Sequence, residues 1–274
     1  MERPEKYDFE AGAAIVEFQL VPTQETSPSE EYFDMRQVGT YTSNDPPPDT
    51  MGKLTHVAGL QICDEKGDGL APAYIGARKQ SNNTAELTAL YHALWRAAAR
   101  PKDAPPETIY TDSLYAKNVT LGVWKGSKKV HRKMIRNLRL LWRRTQIHRG
   151  PQTIHIEHMR SHIGWPGNEL ADRAAGLAMA EINENIPAEK NARPPPRLQM
   201  QRTTVAWART KMREITGSDR QAPTPPTLNH PLNKPLNSDQ DRRWVATTYA
   251  CRKRLRRLSP ASSVVGPEGC ASRN

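Results

Sequence analysis

The chain has no run of about 18 apolar residues, which excludes a helix built to span a membrane. Hydrophobic residues make up only 36% of its 274 positions and prolines number 23, so part of the length lacks the material for a packed core. Cysteine is scarce: Cys63, Cys251 and Cys270 are odd in number and widely spaced. That pattern argues against a disulfide framework or a zinc cluster and suits a reducing, intracellular compartment. The opening MERPEKYDFE is too acidic and polar for a secretory signal or a mitochondrial presequence. What remains is room for one substantial domain with extensions, or for two small ones.

Acidic residues are missing from one stretch in particular. Residues 125–149 hold ten Lys/Arg and no Asp/Glu, and residues 190–274 hold 17 Lys/Arg against 5 Asp/Glu. The net charge of +11 is therefore concentrated, and the rest of the chain has a carboxylate excess. A basic segment and a basic tail on an acidic body fit a protein that neutralises phosphates at chosen places, although a solvated basic helix would look the same on charge alone.

Along the chain, AAIVEFQLV (13–21) is strand-like. VGTYT (38–42) precedes a proline-rich SNDPPPD, HVAGLQICDE (56–65) reads as a strand, and APAYIGARK (71–79) as its hairpin partner. NNTAELTALYHALWRAAAR switches to helical spacing, with Asn83 placed to cap it and Glu86 three residues on. TIYTD (108–112) is a short strand, Ser113 can start a second helix, and residues 130–148 form a basic amphipathic helix. TIHIEHM (153–159) alternates as a strand, and Asn168 can cap a last helix. A meander followed by alternating helices and strands implies a mixed sheet covered by helices. The expected division is an N-terminal extension over 1–37, a domain over 38–182, and a largely disordered, proline-rich basic tail over 183–274, with room for a short helix near 200–215. RKRLRRL (252–258) reads as a nuclear import signal or a nucleic-acid contact.

Three carboxylates stand where elements begin or end: Glu86, Asp112 and Asp172. Carboxylates grouped at one sheet edge repel each other and rise in pKa unless a cation neutralises them. Hard oxygen ligands suit magnesium or manganese, and two such ions can activate water against a phosphodiester.

NNTAELTAL, TDSLYAKN and HMRSHIGWPGNELADRAA resemble, in order and spacing, the three signature segments of the type 1 ribonuclease H family. GVWKGSKKVHRK resembles that family's basic substrate-binding region, and together the resemblance covers about half the chain. It implies an α/β, ribonuclease H-like fold: a mixed five-stranded sheet flanked by helices, with the basic C-terminal tail outside it. It implies two Mg²⁺ or Mn²⁺ ions held by Glu86, Asp112 and Asp172, and a loop histidine, His162, that assists proton transfer and product release. An imidazole suits that task because it titrates near neutrality. The implied partner is an RNA–DNA hybrid, contacted by a monomer. Asn82 and Asn83 would face the RNA strand's minor groove, and Trp124, Lys125, Lys128, Lys129, Arg132 and Lys133 the DNA strand's phosphates. Trp124 equally suits a place in the core.

The family's first strand ends in Asp-Gly-Ser, whose aspartate bridges both metals, and this tripeptide is missing. Asp45 is the favoured replacement. Aligning Tyr-Thr directly puts Ser43 there instead, Asp34 would need a longer loop, and IVEFQ as first strand would leave no aspartate. An active endoribonuclease cutting the RNA strand of hybrids is the leading expectation. The alternative is a degenerate module, retroelement-derived among its possible origins, that binds hybrid or double-stranded RNA without cutting.

Overall fold

The structure, a computed structural model, describes residues 9–36, 50–65, 74–126, 131–184, 203–217 and 243–254. In chain order these form β1 (Phe9–Pro22), β2 (Phe33–Asp34), β3 (Thr50–Gln61), α1 (Asn82–Ala99), β4 (Glu107–Thr111), α2 (Leu114–Leu121), α3 (Arg132–Arg149), β5 (Ile154–His158), α4 (Pro166–Glu184), α5 (Val205–Thr216) and β6 (Arg243–Arg254). The six strands make one sheet in the order β2-β3-β1-β6-β4-β5. β1 runs antiparallel to both β3 and β6, whereas β4 is parallel to both β5 and β6.

Successive residues of a strand face opposite sides, and the core divides accordingly. Ala13 and Ile15 of β1 and Ile109 of β4 pack with Leu87, Leu90 and Leu94 of α1 and Met134 and Leu138 of α3. Ala14, Val16 and Phe18 of β1 and Tyr110 of β4 pack with Leu170, Ala171, Ala174 and Ala175 of α4 and Ala208 and Met212 of α5. Helices thus cover both faces, which is why AAIV is a continuous apolar run. At Gly12 a Cβ would collide with the Ala175 carbonyl, so a side chain there would push α4 off the sheet.

Four expectations need correction. The sheet has six strands rather than five, and the sixth comes from the stretch read as a disordered tail. β6 contains WVATTYAC, a run rich in β-branched and aromatic residues that favours a strand despite the prolines and arginines around it. β1, assigned to the extension, lies inside the sheet, because its apolar run needs cover on both faces. Tyr74–Lys79 form no hairpin strand; one isolated bridge joins Asp64 to Ala77. The short helix expected near 200–215 is α5. VGTYT lies outside the described residues.

Candidate active site

Glu86 is positioned by α1, and it is not a capping residue as its spacing from Asn83 suggested. Ser81 is the N-cap: its hydroxyl accepts from the Thr84 N–H at 3.2 Å, and the Thr84 hydroxyl accepts from the Ser81 N–H at 2.7 Å. With the helix end satisfied, Glu86, a residue only 5% exposed, is left with a carboxyl that accepts from Asn82 Nδ2 at 3.3 Å. Asp112 follows the last residue of β4, held there by the turn that Ser113 caps by accepting from the Ala116 N–H at 3.1 Å.

The Glu86 and Asp112 carboxyls lie close enough for each to act on the other's ionisation, and two carboxylates side by side disfavour ionisation of both. Burial and then the Asp112 charge hold Glu86 well above the usual carboxylate range. Burial, with the Asp172 charge added, pushes Asp112 up to about 6. Glu86 Oε2 and Asp112 Oδ1 are buried with no partner. No lysine or arginine among the described residues pairs with either group.

Asp172, in the second turn of α4, and His162 lie within electrostatic reach of Asp112. His162 is exposed and has φ +55°, in a loop whose Gly164 has φ +81°. The four residues singled out in three separate motifs therefore meet at the carboxyl end of β4, where an α/β sheet offers a crevice.

Two neighbouring carboxyls with unpartnered oxygens suit a divalent cation, whose charge would favour the ionised form of both. The fit is partial: among the described residues no group of three His, Cys, Asp or Glu closes round one point, so Asp172 stands back from the pair. Asp45 and Ser43 lie outside the described residues. Asp34 does not join the site. It sits on edge strand β2, four strands from β4 and roughly 19 Å away at ~4.8 Å per strand, and Arg36 chelates it through Nε and Nη2.

Asn82 and Asn83 occupy the first turn of α1 beside Glu86, both half-buried. Trp124 is 43% exposed, so the core alternative fails for it. Lys125, Arg132 and Lys133 are exposed, and Lys133 Nζ lies 4.6 Å from the centre of the Tyr74 ring. Lys128 and Lys129 lie outside the described residues.

Asn168 is the surprise. Trp165, not Asn168, offers the carbonyl that opens α4, accepting from the Glu169 N–H at 2.9 Å. Asn168 is fully buried one turn before Asp172, and neither amide atom has a partner. The i, i+4 spacing of Asn168 and Asp172 was the signal for this shared face.

The profile of the RNase H family matches residues 54–180. The ribonuclease H of Ruegeria sp. (strain TM1040) is 34% identical over 120 residues, 42% of this chain and 73% of the relative. That of Dichelobacter nodosus (strain VCS1703A) is 37% identical over 109 residues, 38% and 69% respectively. That of Cupriavidus metallidurans (strain ATCC 43123 / DSM 2839 / NBRC 102507 / CH34) is 37% identical over 113 residues, 39% and 74%. No solved structure matches the chain significantly. Among the described residues no helix is long and apolar enough to cross a membrane. With Glu86, Asp112, Asp172 and His162 all inside the matched span, the chain belongs to the ribonuclease H family.

Proposed function

We propose that the protein hydrolyses the RNA strand of RNA–DNA hybrids, with divalent cations at the Glu86–Asp112 nest. The observation that carries this reading is a pair of neighbouring, buried carboxyls, Glu86 and Asp112, each with an unpartnered oxygen and neither paired with a lysine or arginine among the described residues. A pair that charge-starved is costly unless a cation completes it.

Glu86 and Asp112 would hold Mg²⁺ or Mn²⁺, and Asp172 and Asp45 would complete the set for two ions. Bound there, the metal supplies an activated water and charge stabilisation for the leaving oxygen. The chain does the rest. Asn82 and Asn83 orient the RNA strand, where the 2′-hydroxyl distinguishes RNA from DNA. Trp124, Lys125, Lys128, Lys129, Arg132 and Lys133 hold the DNA strand's phosphates without reading sequence. His162, exposed on its left-handed loop residue, is placed to move a proton to or from a leaving group and to retreat with product.

A second reading is favoured by one specific observation. β6, the strand beside β4, carries no Asp or Glu over residues 243–254, so it offers no further carboxylate alongside Asp112. On that reading the domain grips hybrid without cutting it. Cleavage of a labelled hybrid under Mn²⁺, compared with salt-dependent binding of the same hybrid, separates the two. Turnover is expected; binding with no turnover by folded protein in excess Mn²⁺ would leave only the gripping module.

A further inference from the structure

The outer face of α3 carries a stripe that the substrate residues above do not use up. Arg132, Arg136, Arg139 and Arg143 recur at i, i+4, i+7 and i+11, which places them on one side of the helix over roughly 16 Å. With Lys125 they line a groove of about 310 Å³, floored in part by Ile135 and Leu140. Arg132 and Arg136 also line a second groove of about 370 Å³ with Tyr74, Arg78, Lys133 and one acid, Glu65, which pairs with Arg78. Among the described residues no acidic side chain lines the first groove.

The pairing of charges sets this face apart. On the opposite side of the sheet, Arg173 and Lys211 meet Glu214, and Arg213 meets Glu31. Arg132, Arg136 and Arg143 are exposed and have no acidic partner among the described residues. Arg139 differs again: it donates to the Val119 carbonyl at 2.7 Å and the Trp124 carbonyl at 2.6 Å. It thereby ties down the turn that follows Trp124 and presents Lys125 to the groove. Gly126 lets that turn close, with φ +67° and with Ile135 Cδ1 only 2.6 Å from where a Cβ would stand. A rigid rim, a concave floor and uncompensated guanidinium groups are more than a solvated basic helix needs.

We infer that this groove is a track for the phosphodiester backbone of a nucleic acid extending beyond the segment held at the carboxylates, with Arg136 and Arg143 as its contacts. The stripe spans the rise of about five nucleotides of one strand at ~3.4 Å each. Guanidinium groups suit it because they bind phosphate in a bidentate fashion. The inference deepens the nuclease reading and rests on it only for the identity of the partner.

The test is the binding of R136Q/R143Q, without divalent metal, to three ligands: a short hybrid, the same hybrid extended as duplex, and the same hybrid extended as a single strand. The double variant should bind the short hybrid as wild type does. On the extended ligand that uses the track, its log K against log salt slope should fall by about 1.8 for duplex or about 1.4 for single strand. Which extension shows the drop identifies the source of the phosphates, and R136K/R143K should restore most of it. R144Q removes an exposed charge on the same helix that lines neither groove, and it should leave the slope unchanged. An unchanged slope for R136Q/R143Q on both extensions, or an equal drop for R144Q, overturns the track. Hybrid cleavage by wild type, measured separately, tells whether the nuclease reading fails with it.

Discussion

A buried pair of carboxyls stands at each end of helix α1, Glu17 of β1 with Glu107 of β4 at one and Glu86 with Asp112 at the other, and the two pairs are treated in opposite ways. At one end Glu17 is clamped by Arg96 through Nε at 2.6 Å and Nη2 at 2.9 Å. Arg100 bridges it to Glu107, with both contacts at 3.0 Å. Two guanidinium groups thus answer two carboxylates, and they stand near the C-terminus of α1, where its dipole favours cations. At the other end Glu86 has Asn82 and Asp112 beside it, Asp112 has His162 and Asp172 within electrostatic reach, and neither carboxyl meets a lysine or arginine among the described residues. A carboxylate pair whose task is structural is supplied with its own counter-charge by the chain. The pair in the crevice is denied one, which keeps it available to a cation from outside.

The largest test of this contrast is removal of the unanswered charge. Asp112→Asn and Glu86→Gln should each lower hybrid cleavage by three to five orders of magnitude, roughly 4–7 kcal/mol of barrier. Neither should harm the fold, because each removes a buried acid that lacks a cation. A thermal melt of metal-free protein should show the variants at least as stable as wild type. A melting point several degrees lower would mean that the pair is structural after all. The matching experiment at the other end is Arg100→Met, which strands Glu17 on one partner and Glu107 on none. Denaturant unfolding should report a loss of about 3–4 kcal/mol, the usual result of breaking a buried ion pair from one side. A loss under 1 kcal/mol would show that the clamp is ornamental.

The sequence showed one of these ends and hid the other. Glu86, Asp112, Asp172 and His162 sit in motifs whose order and spacing are local properties, and local properties survive in a linear reading. The clamp joins Glu17 to Arg96 and Arg100, 79 and 83 residues away, and no periodicity announces a contact at that range. The sheet's centre is hidden for the same reason. β4 and β5 alternate with helices and were legible. β6 enters between β1 and β4 from far along the chain, out of a stretch whose prolines and arginines argued for disorder. β1 and β6 both lie outside the matched residues 54–180, so the centre of the sheet comes from sequence that the family resemblance does not reach. The stripe on α3 was legible in principle, since i, i+4, i+7, i+11 can be counted. Which of its arginines are unpaired could be read only from the folded chain.

The smallest effect, and the one that bears most directly on the clamp, is its pH dependence. Burial outweighs Arg100 at Glu107 and pushes its carboxyl up to about 7, while one of its oxygens, Oε1, has no partner. An acid whose folded pKa exceeds its unfolded value binds more protons in the folded state across the interval between them. The stability it contributes is therefore complete below the unfolded value and is lost as pH rises through about 7. Between pH 4.5 and 7.5 the loss is bounded at about 3 kcal/mol, and sharing of charge with Glu17 and the arginines will keep it below that. Glu107→Gln should flatten this part of the unfolding free energy against pH while retaining an acceptor for Arg100. If Glu107→Gln leaves the slope intact, Glu107 is ionised throughout and the clamp balances its two carboxylates fully. The contrast with Glu86 and Asp112 would then be sharper than burial alone implies.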